Sequence, residues 1–487
     1  MTIRNLLSSF LTLFIIAFAL PCAAQTKAES IDELLTQYKE YGKFNGSILV
    51  AEEGKIIFKK GYGFANLEWD IPNDVDTKFR IASISKQFTA MLIVQLAAEN
   101  KLDLHAPIST YLPHYPQPNG DAITIHHLLT HTSGIPEFDA FMDYYTIERK
   151  HFRPQELMDL FADQPLEFTP GDHFNYVNTG YIVLGAIIEK LAGMRYEAAL
   201  QQKIFTPLGM TNTGYDHHQT ILKNRATGYS HSYARISLYN SNFIDMSVPY
   251  AAGSMYSTVE DLFLWDQALY TEKLLPKKYL DLLFEKYVPA SGRHYGYGIF
   301  LGEMNIGNTN KTVKTNGHGG GINGFNTLIT RFPKNKAVVI LLNNTERAPL
   351  FQITTSINGI LYNEDFDLPK QSLAKALSQK LDSLTIDDAL DFYKDAKKSG
   401  QYYIDEEEMN HFGYTFFQAE KFIKAAFIFK LNVEAFPESF NVFDSYAEAL
   451  LALGYKKQAA KNYEKSLRLN PENKNAQMML DYLNADD

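Results

Sequence analysis

Cysteine is nearly absent from this chain, since Cys22 is the only one among 487 residues. A lone cysteine cannot form an internal disulfide or build a zinc site of the multi-cysteine kind. Positive charge is also scarce, because 46 lysines and arginines face 56 aspartates and glutamates and give a formal net charge of −10. This balance argues against nucleic acid as a partner, because phosphate binding needs a basic face. We expect no transmembrane span in the mature chain, because no apolar run after the first 25 residues approaches the required length.

The N-terminal segment MTIRNLLSSFLTLFIIAFALPCAAQ is built like a secretory leader. It has a basic residue at Arg4, an apolar core from Leu11 to Leu20 and small residues up to Ala24. This pattern predicts a signal peptide over residues 1–24 and a bacterial protein that is periplasmic or secreted. A membrane anchor is disfavoured by the short apolar run, and a lipoprotein signal at Cys22 is disfavoured by the preceding Pro21.

Two segments far apart in the chain have the pattern of β-hairpins. NGSILVAEEGKIIFKKGYG follows a predicted helix near residues 31–41, and GFNTLITRFPKNKAVVILLNN lies almost 300 residues later. Both contain β-branched runs that flank a turn. We therefore predict an α/β (α+β) fold, in which one antiparallel sheet is assembled from both ends of residues 25–365. The helical middle of the chain would form helices that flank or cap the sheet.

Residues 366–487 are charged, alanine-rich and repetitive. Pro437 and Pro471 are 34 residues apart, and so are Ala425 and Ala459. A period of 34 resembles the tetratricopeptide repeat, which pairs two helices in each unit. The region is therefore predicted to be an α-helical domain of this type. It could cover the preceding domain or dock a protein or peptide partner, and both interpretations stay open.

Ser83-x-x-Lys86 opens the apolar segment FRIASISKQFTAMLIVQLAAEN. Lys86 heads a helical stripe that continues through Ala90 and Ile93, so its ammonium group is predicted to be buried. The positive end of the helix dipole also opposes a cation in the first turn. Burial and the dipole both lower the pKa of such a lysine and favour the neutral amine.

Two further motifs follow in order along the chain. Tyr176-x-Asn178 precedes a predicted helix that begins near Thr179, and His318 opens a glycine-rich run in NGHGGGINGF. Each short pattern also has a chance copy, so the order and the context decide between them. The copies lie in the C-terminal region and in the wrong order: Ser372 with Lys375, His411 with Gly413, and Tyr482 with Asn484.

The ordered motifs resemble those of serine β-lactamases and penicillin-binding-protein-like hydrolases, in the class C-related branch. HHLLTHTSGI, PLGMTNTGY, AAGSMYSTVEDLFLWDQAL and GHGGGINGF extend the resemblance over residues 31–363. The resemblance implies a sheet covered by helices, a mostly helical subdomain and an active site between them. It also implies an enzyme that hydrolyses its substrate through an acylated serine.

The resemblance assigns roles to the motif residues. Ser83 would be the nucleophile, Lys86 or Tyr176 the general base, and Asn178 would order the lysine. The oxyanion would lie between the backbone N–H of Ser83 and one on the strand of the third motif, by analogy that of Gly321. The remaining residues of the predicted substrate-binding and oxyanion set are His318 and Gly320.

The third motif of this chain is His318-Gly319-Gly320. Family members that act on β-lactams or D-Ala-D-Ala peptides usually carry Lys-Thr-Gly at this motif. A histidine at position 318 is mostly neutral at pH 7 and gives no fixed charge for a substrate carboxylate. Family relatives with a histidine at this motif are described as esterases, D-aminopeptidases and other peptidases. The resemblance therefore implies an ester or amide hydrolase of one of these types, acting on small ester, amide or peptide substrates. A true β-lactamase or DD-peptidase and a non-catalytic binding protein stay as alternatives.

His126, His127 and His131 raise the question of a zinc site, because the last two are four residues apart. The catalytic glutamate of the zinc-protease pattern is absent between them. The tract also matches the HLLTHTSG segment of the hydrolase family. We therefore predict neither a metal site nor a cofactor.

Overall fold

The computed structural model describes residues 26–232 and 237–485. The predicted signal peptide, residues 1–24, lies outside them. No helix within the described ranges is long and apolar enough to cross a membrane.

An eight-stranded antiparallel sheet forms the centre of the fold. Its strands lie in the order Val288–Ala290, Arg293–Tyr295, Phe300–Asn305, Thr312–Ile322, Phe325–Phe332, Ala337–Asn343, Gly46–Glu52 and Lys55–Tyr62. The two predicted hairpins meet in its middle, where Gly46 pairs with Asn343 and Val50 pairs with Val339. The prediction of one antiparallel sheet built from both ends of this region is confirmed.

Two helices cover one face of the sheet. They are Lys27–Glu40, close to the predicted residues 31–41, and Leu350–Tyr362. The first helix begins with a capping box between Thr26 and Glu29. Its apolar side packs into a cluster with the second helix and with alternate side chains of the strands. Both ends of the sheet-forming region therefore stabilise the same face.

The opposite face carries the helical subdomain and the larger core. Its main helices are Ser85–Ala98, Thr179–Ala192 and Val259–Ala268. Twelve of the fourteen residues of Ser85–Ala98 are buried, which places this helix at the centre of the core. Trp265 stacks on Phe88 with ring centroids 4.2 Å apart and fixes the third helix against the first. The predicted antiparallel sheet with a helical subdomain is thus observed.

Short elements complete this part of the chain. The short helical segments are Ala82–Ile84, Ile108–Tyr111, Asn119–Ala122, Ile125–Leu129, Phe138–Ala140, Tyr144–Ile147, Pro154–Asp159, Tyr196–Leu200, Gln201–Phe205, Thr206–Leu208, Tyr250–Gly253, Lys277–Leu280, Asp281–Phe284 and Pro333–Asn335. The short strands are Phe64–Asn66, Ile71–Pro72, Phe79–Arg80, Gly214–Tyr215, Tyr229–Ser232, Ser237–Asn240 and Met255–Ser257. Two further short strands, Gln371–Ser372 and Tyr402–Tyr403, pair in the C-terminal region.

The C-terminal region is helical, as predicted. Its helices are Leu373–Lys380, Ile386–Ser399, Glu406–Gln418, Phe422–Ala435, Phe440–Ala452, Lys456–Leu469 and Lys474–Ala485. The third and fourth helices of this series begin and end 34 residues before the fifth and sixth. A Cβ at Gly413 would lie 2.2 Å from the Phe429 ring, so the glycine allows this helix pair to approach closely. Two separate apolar clusters support the helices.

Candidate active site

The serine of the first motif lies on a sharp turn that ends at the central helix. Ala82, directly before Ser83, has a φ of 47°, a left-handed conformation that is uncommon for a residue with a side chain. A short helical turn, Ala82–Ile84, then leads into the helix Ser85–Ala98. Strain of this kind persists where the surrounding structure imposes it. It places Ser83 at the helix N-terminus, beside a pocket.

The Lys86 side chain is completely buried and contacts the serine. Its Nζ lies 3.1 Å from Ser83 Oγ, 2.8 Å from Asn178 Oδ1 and 3.0 Å from the carbonyl oxygen of Ala252. Burial lowers the pKa of Lys86 to about 7, and the nearby negative charge of Glu137 opposes part of this effect. A substantial fraction of the lysine is therefore neutral at pH 7.

These three contacts orient the neutral amine. A neutral amine has two N–H groups and one lone pair, whereas a carbonyl oxygen can only accept a hydrogen bond. The carbonyl oxygens of Asn178 and Ala252 therefore take both N–H groups. The lone pair is left for the hydroxyl hydrogen of Ser83. In this arrangement the amine can accept the serine proton.

Tyr176 and Asn178, the residues of the second motif, also lie beside the Lys86 amine. The centroid of the Tyr176 ring lies 4.9 Å from the lysine Nζ. Burial raises the pKa of the Tyr176 phenol well above its usual value, although the Ser83 hydroxyl acts in the opposite direction. The backbone N–H of Asn178 donates to the Glu137 carboxylate, which holds the loop in place. The structure thus brings together the four residues of the first two motifs.

His318 belongs to a buried chain of hydrogen bonds. Its Nδ1 donates to the carbonyl of Gly319 at 2.6 Å, and its Nε2 lies 3.1 Å from the Tyr295 hydroxyl. The same hydroxyl lies 3.2 Å from Nε2 of His131, whose Nδ1 accepts from the backbone N–H of Val177. Because the Val177 N–H leaves His131 with one ring hydrogen, on Nε2, His131 is neutral and donates to Tyr295. The Tyr295 hydroxyl hydrogen can then be donated to Nε2 of a neutral His318.

Burial explains why these histidines carry no charge. It lowers the pKa of His318 to about 3, and the positive charge of Lys86 adds to the effect. The pKa of His131 is lowered in the same way. The His318 side chain is only 4% exposed, and it faces this network rather than the pocket beside Ser83. It therefore provides no positive charge for a substrate.

A pocket of about 160 Å³ opens beside the serine. It is lined by Ala82, Ser83, Glu137, Phe138, Tyr144, Asn178, Val248, Pro249, Gly253, Gly321, Ile322 and Asn323. Gly321 faces open space, since no atom of the described residues lies within 4 Å of the position that a Cβ would take. At Gly320 a Cβ would lie 2.2 Å from the backbone oxygen of Ile81, so only glycine allows this strand to approach the serine turn.

Sequence reasoning missed three contributors to this site. Glu137 lines the pocket, Ala252 supplies a backbone acceptor for Lys86, and Tyr295 connects the two histidines. For Glu137 and Ala252 the available signal was their position, because Glu137 follows the HTSGI tract and Ala252 lies within AAGSMYS. Neither residue type suggests its contact by itself.

The histidines considered for zinc have other partners. His126 Nδ1 lies 2.8 Å from the Tyr297 hydroxyl, and His127 Nδ1 accepts from the backbone of Thr124. Within residues 26–232 and 237–485, no group of three or more histidine, cysteine or acidic side chains is arranged to hold a metal ion.

Comparison with known proteins gives the class of this fold and site. A family model described as beta-lactamase matches residues 31–357. The chain therefore belongs to the beta-lactamase family, and it is a serine hydrolase of that family, as the motifs predicted.

Relatives and solved structures agree with this assignment. Penicillin-binding protein 4* of Bacillus subtilis is 28% identical over 366 residues, which cover 72% of this chain and 80% of the relative. The putative penicillin-binding protein PbpX of the same organism is 31% identical, with 70% and 81% covered. The crystal structure of a penicillin-binding protein from Bacillus halodurans matches with a TM-score of 0.58 and 29% identity, covering 67% of this chain and 98% of that one. D-amino acid amidase from Ochrobactrum anthropi, complexed with L-phenylalanine amide, matches with a TM-score of 0.58 and 26% identity, covering 68% and 98%.

Proposed function

We propose that the protein cleaves an amide or ester bond through an acyl-enzyme on Ser83. One observation carries the proposal: the buried Lys86 amine lies 3.1 Å from the serine hydroxyl and has carbonyl partners for both of its N–H groups. A nucleophilic serine is activated by a base within hydrogen-bond reach, and this distance satisfies that requirement.

In the first step, the Ser83 proton moves to Lys86 while Oγ attacks the substrate carbonyl. Lys86 is the better base of the two candidates, because its pKa lies near 7 whereas that of Tyr176 is raised. The protonated lysine then returns a proton through the Tyr176 hydroxyl to the leaving group. Water attacks the acyl-enzyme in the second step and releases the acid.

The oxyanion of the tetrahedral intermediate needs hydrogen-bond donors beside Ser83. We assign this role to the backbone N–H groups of Ser83 and Gly321, since both residues line the pocket. Gly320 contributes to the oxyanion site indirectly. Because it has no side chain, the strand Thr312–Ile322 can lie against the turn that carries Ser83. Removing one donor of this type typically lowers kcat by about 10²- to 10³-fold.

A fluorophosphonate probe tests the proposal directly. We expect one covalent label on the full-length protein, and we expect Ser83→Ala to remove it completely, because the probe reacts only with an activated serine. Intact-mass spectrometry measures the label. Ser372→Ala is the matched control and should label like the natural sequence. Ser372 has the same spacing to a lysine, but its hydroxyl caps a helix and donates to the Glu408 carboxylate. A folded protein that takes no label would contradict the proposal and favour a non-catalytic binding protein.

The pocket favours substrates with a positive charge near the scissile bond. Among the described residues that line it, Glu137 is the only carboxylate, and there is no lysine, arginine or histidine. A substrate with a free amino group could pair with Glu137, whereas a free carboxylate would be repelled. The structural likeness to D-amino acid amidase supports D-amino acid amides or peptides as the substrate class.

Glu137→Gln should therefore change substrate preference more than catalysis. We expect kcat/KM for a D-amino acid amide to fall about 10- to 100-fold, because a hydrogen bond to a charged group contributes about 1.5–3 kcal/mol. For a neutral p-nitrophenyl ester the decrease should be much smaller, since any effect of Glu137 on Lys86 is common to both substrates. The ratio of the two kcat/KM values is the measurement. An unchanged ratio would remove Glu137 from substrate recognition.

A DD-peptidase or β-lactamase is the second candidate, favoured by the penicillin-binding-protein relatives. The neutral, buried His318 weakens it, because no fixed charge awaits the substrate carboxylate at this position. Covalent capture of a fluorescent penicillin at Ser83 would support this candidate. A fluorophosphonate label without penicillin capture would support the amidase or esterase.

We further propose that residues 1–24 direct export to the periplasm or exterior and are removed. Residues 25–365 would then be the hydrolase domain and residues 366–487 a helical domain of the tetratricopeptide type, which covers the hydrolase or docks a peptide. The leader pattern and the 34-residue spacing of the helices support these assignments. Sequencing the N-terminus of the exported protein tests the cleavage, and limited proteolysis tests the boundary near residue 365.

A further inference from the structure

A second cleft lies next to the serine pocket. It has a volume of about 690 Å³, and Asn323 lines both cavities. Asn323 Nδ2 donates to the Glu148 carboxylate and to the carbonyl of Asn242, so the shared wall is fixed. A substrate held at Ser83 could therefore extend into this cleft.

An exposed tryptophan stands at the edge of the cleft. Trp69 is 79% exposed although tryptophan is usually buried, and it is one of only two in the chain. Its loop is held in place, since Asn66 accepts from the Trp69 backbone and Leu67 N–H donates to the Tyr229 hydroxyl. The indole is therefore presented to solvent by a fixed loop. Phe243 adds a second partly exposed ring on the cleft wall.

The charged groups of the cleft are paired with each other. Arg80 and Arg225 both bind the buried carboxylate of Asp216, each at 2.7 Å. Glu68 accepts from Asn240 at 2.8 Å and from the Tyr229 hydroxyl at 2.9 Å. Asp216 offsets one of the two positive charges, and Glu68, the one carboxylate among the described lining residues, offsets the other, so these four groups carry no net charge. This arrangement selects neither anions nor cations.

The remaining polar groups of the cleft are carboxamides and hydroxyls. Asn66, Asn240, Ser241 and Asn242 line it together with the exposed rings of Trp69 and Phe243. A carboxamide can both donate and accept hydrogen bonds, as the hydroxyl and acetamido groups of a sugar require. An exposed ring offers a flat apolar surface to the C–H face of a pyranose.

We propose that this cleft binds a neutral saccharide, with Trp69 as the stacking platform. The saccharide would be the distal part of a substrate whose acyl group reaches Ser83. Only this link to catalysis rests on the proposed function; saccharide binding itself does not need an active serine.

Tryptophan fluorescence provides a direct test on the full-length protein. Trp265 is completely buried, so a ligand in the cleft would alter the emission of Trp69 alone. We expect a saturable change when tri-N-acetylchitotriose is titrated, and maltotriose serves as a second probe that lacks acetamido groups. Binding of either trisaccharide at Trp69 supports the proposal, and their ratio measures the contribution of the acetamido group.

Variants test whether Trp69 is responsible for the fluorescence change and for the trisaccharide affinity. By calorimetry, Trp69→Ala should weaken trisaccharide binding about tenfold or more, whereas Trp69→Phe should retain most of it, because stacking needs only an aromatic ring. Tyr455→Ala, which removes an exposed ring from the helical region, should bind like the natural sequence. Failure of both sugars to bind, or unchanged affinity in Trp69→Ala, would overturn the proposal. Sugar binding without a fluorophosphonate label would instead refute the proposed hydrolysis and leave the cleft assignment intact.

Discussion

Replacing Lys86 with methionine should lower kcat/KM about 10²- to 10⁴-fold, the range that a positioned general base contributes. Methionine keeps an unbranched side chain of similar length but has no lone pair strong enough to accept the Ser83 proton. The hydroxyl would then attack without activation. Initial rates on a D-amino acid amide and a p-nitrophenyl ester measure the loss, and circular dichroism verifies the fold.

Lys375→Met is the matched control for this variant. Lys375 has the same spacing to Ser372 as Lys86 has to Ser83, and it should leave both rates unchanged because its helix lies in the C-terminal region. If Lys86 is the base, kcat/KM of the unmodified enzyme should also rise with pH up to about 7, as the amine loses its proton. Lys86→Met activity within threefold of the natural sequence would transfer the role of base to Tyr176.

The sequence was sufficient to predict the pairing of Ser83 and Lys86. A lysine that heads an otherwise apolar helical stripe is a local anomaly, and one segment contains the whole pattern. The sheet was predictable for a similar reason, because each hairpin shows its alternation and its turn within 20 residues. A sequence pattern that lies within one short segment can be recognised without knowing the tertiary structure.

Glu137 and His318 show what the sequence could not reveal. Glu137 reaches the site because its loop returns to the backbone of Asn178, 41 residues further along the chain. His318 was expected to face the substrate, but its partners Tyr295 and His131 come from two other segments. Contacts that join three segments depend on tertiary packing, so the neutral state of His318 was expected from its residue type, but the direction of its side chain did not follow from its motif.

The buried lysine that serves catalysis should also destabilise the folded protein. Its pKa falls from an ordinary 10.5 to about 7 on folding, so the unfolded chain binds more protons between pH 7 and 10.5. The unfolding free energy of the natural sequence therefore rises with pH through this window. Below pH 7 the lowered pKa of Lys86 reduces the unfolding free energy by its full amount, on the order of 5 kcal/mol. Lys86→Met removes the titrating group. The measured quantity is the unfolding free energy of the variant minus that of the natural sequence. This difference should be about 3 kcal/mol larger at pH 6 than at pH 9.

Urea unfolding at the two pH values measures this difference. The three hydrogen bonds lost with Lys86 cost about 1 kcal/mol each at either pH, so they change the absolute stability of the variant but not its dependence on pH. Lys394→Met, which removes an exposed ammonium group beside Asp391, is the control variant. A variant whose advantage is equal at pH 6 and pH 9 would mean that Lys86 keeps its ordinary proton affinity in the folded chain. The amine would then be charged at neutral pH and unable to take the serine proton, so the stability measurement tests the catalytic proposal without a substrate.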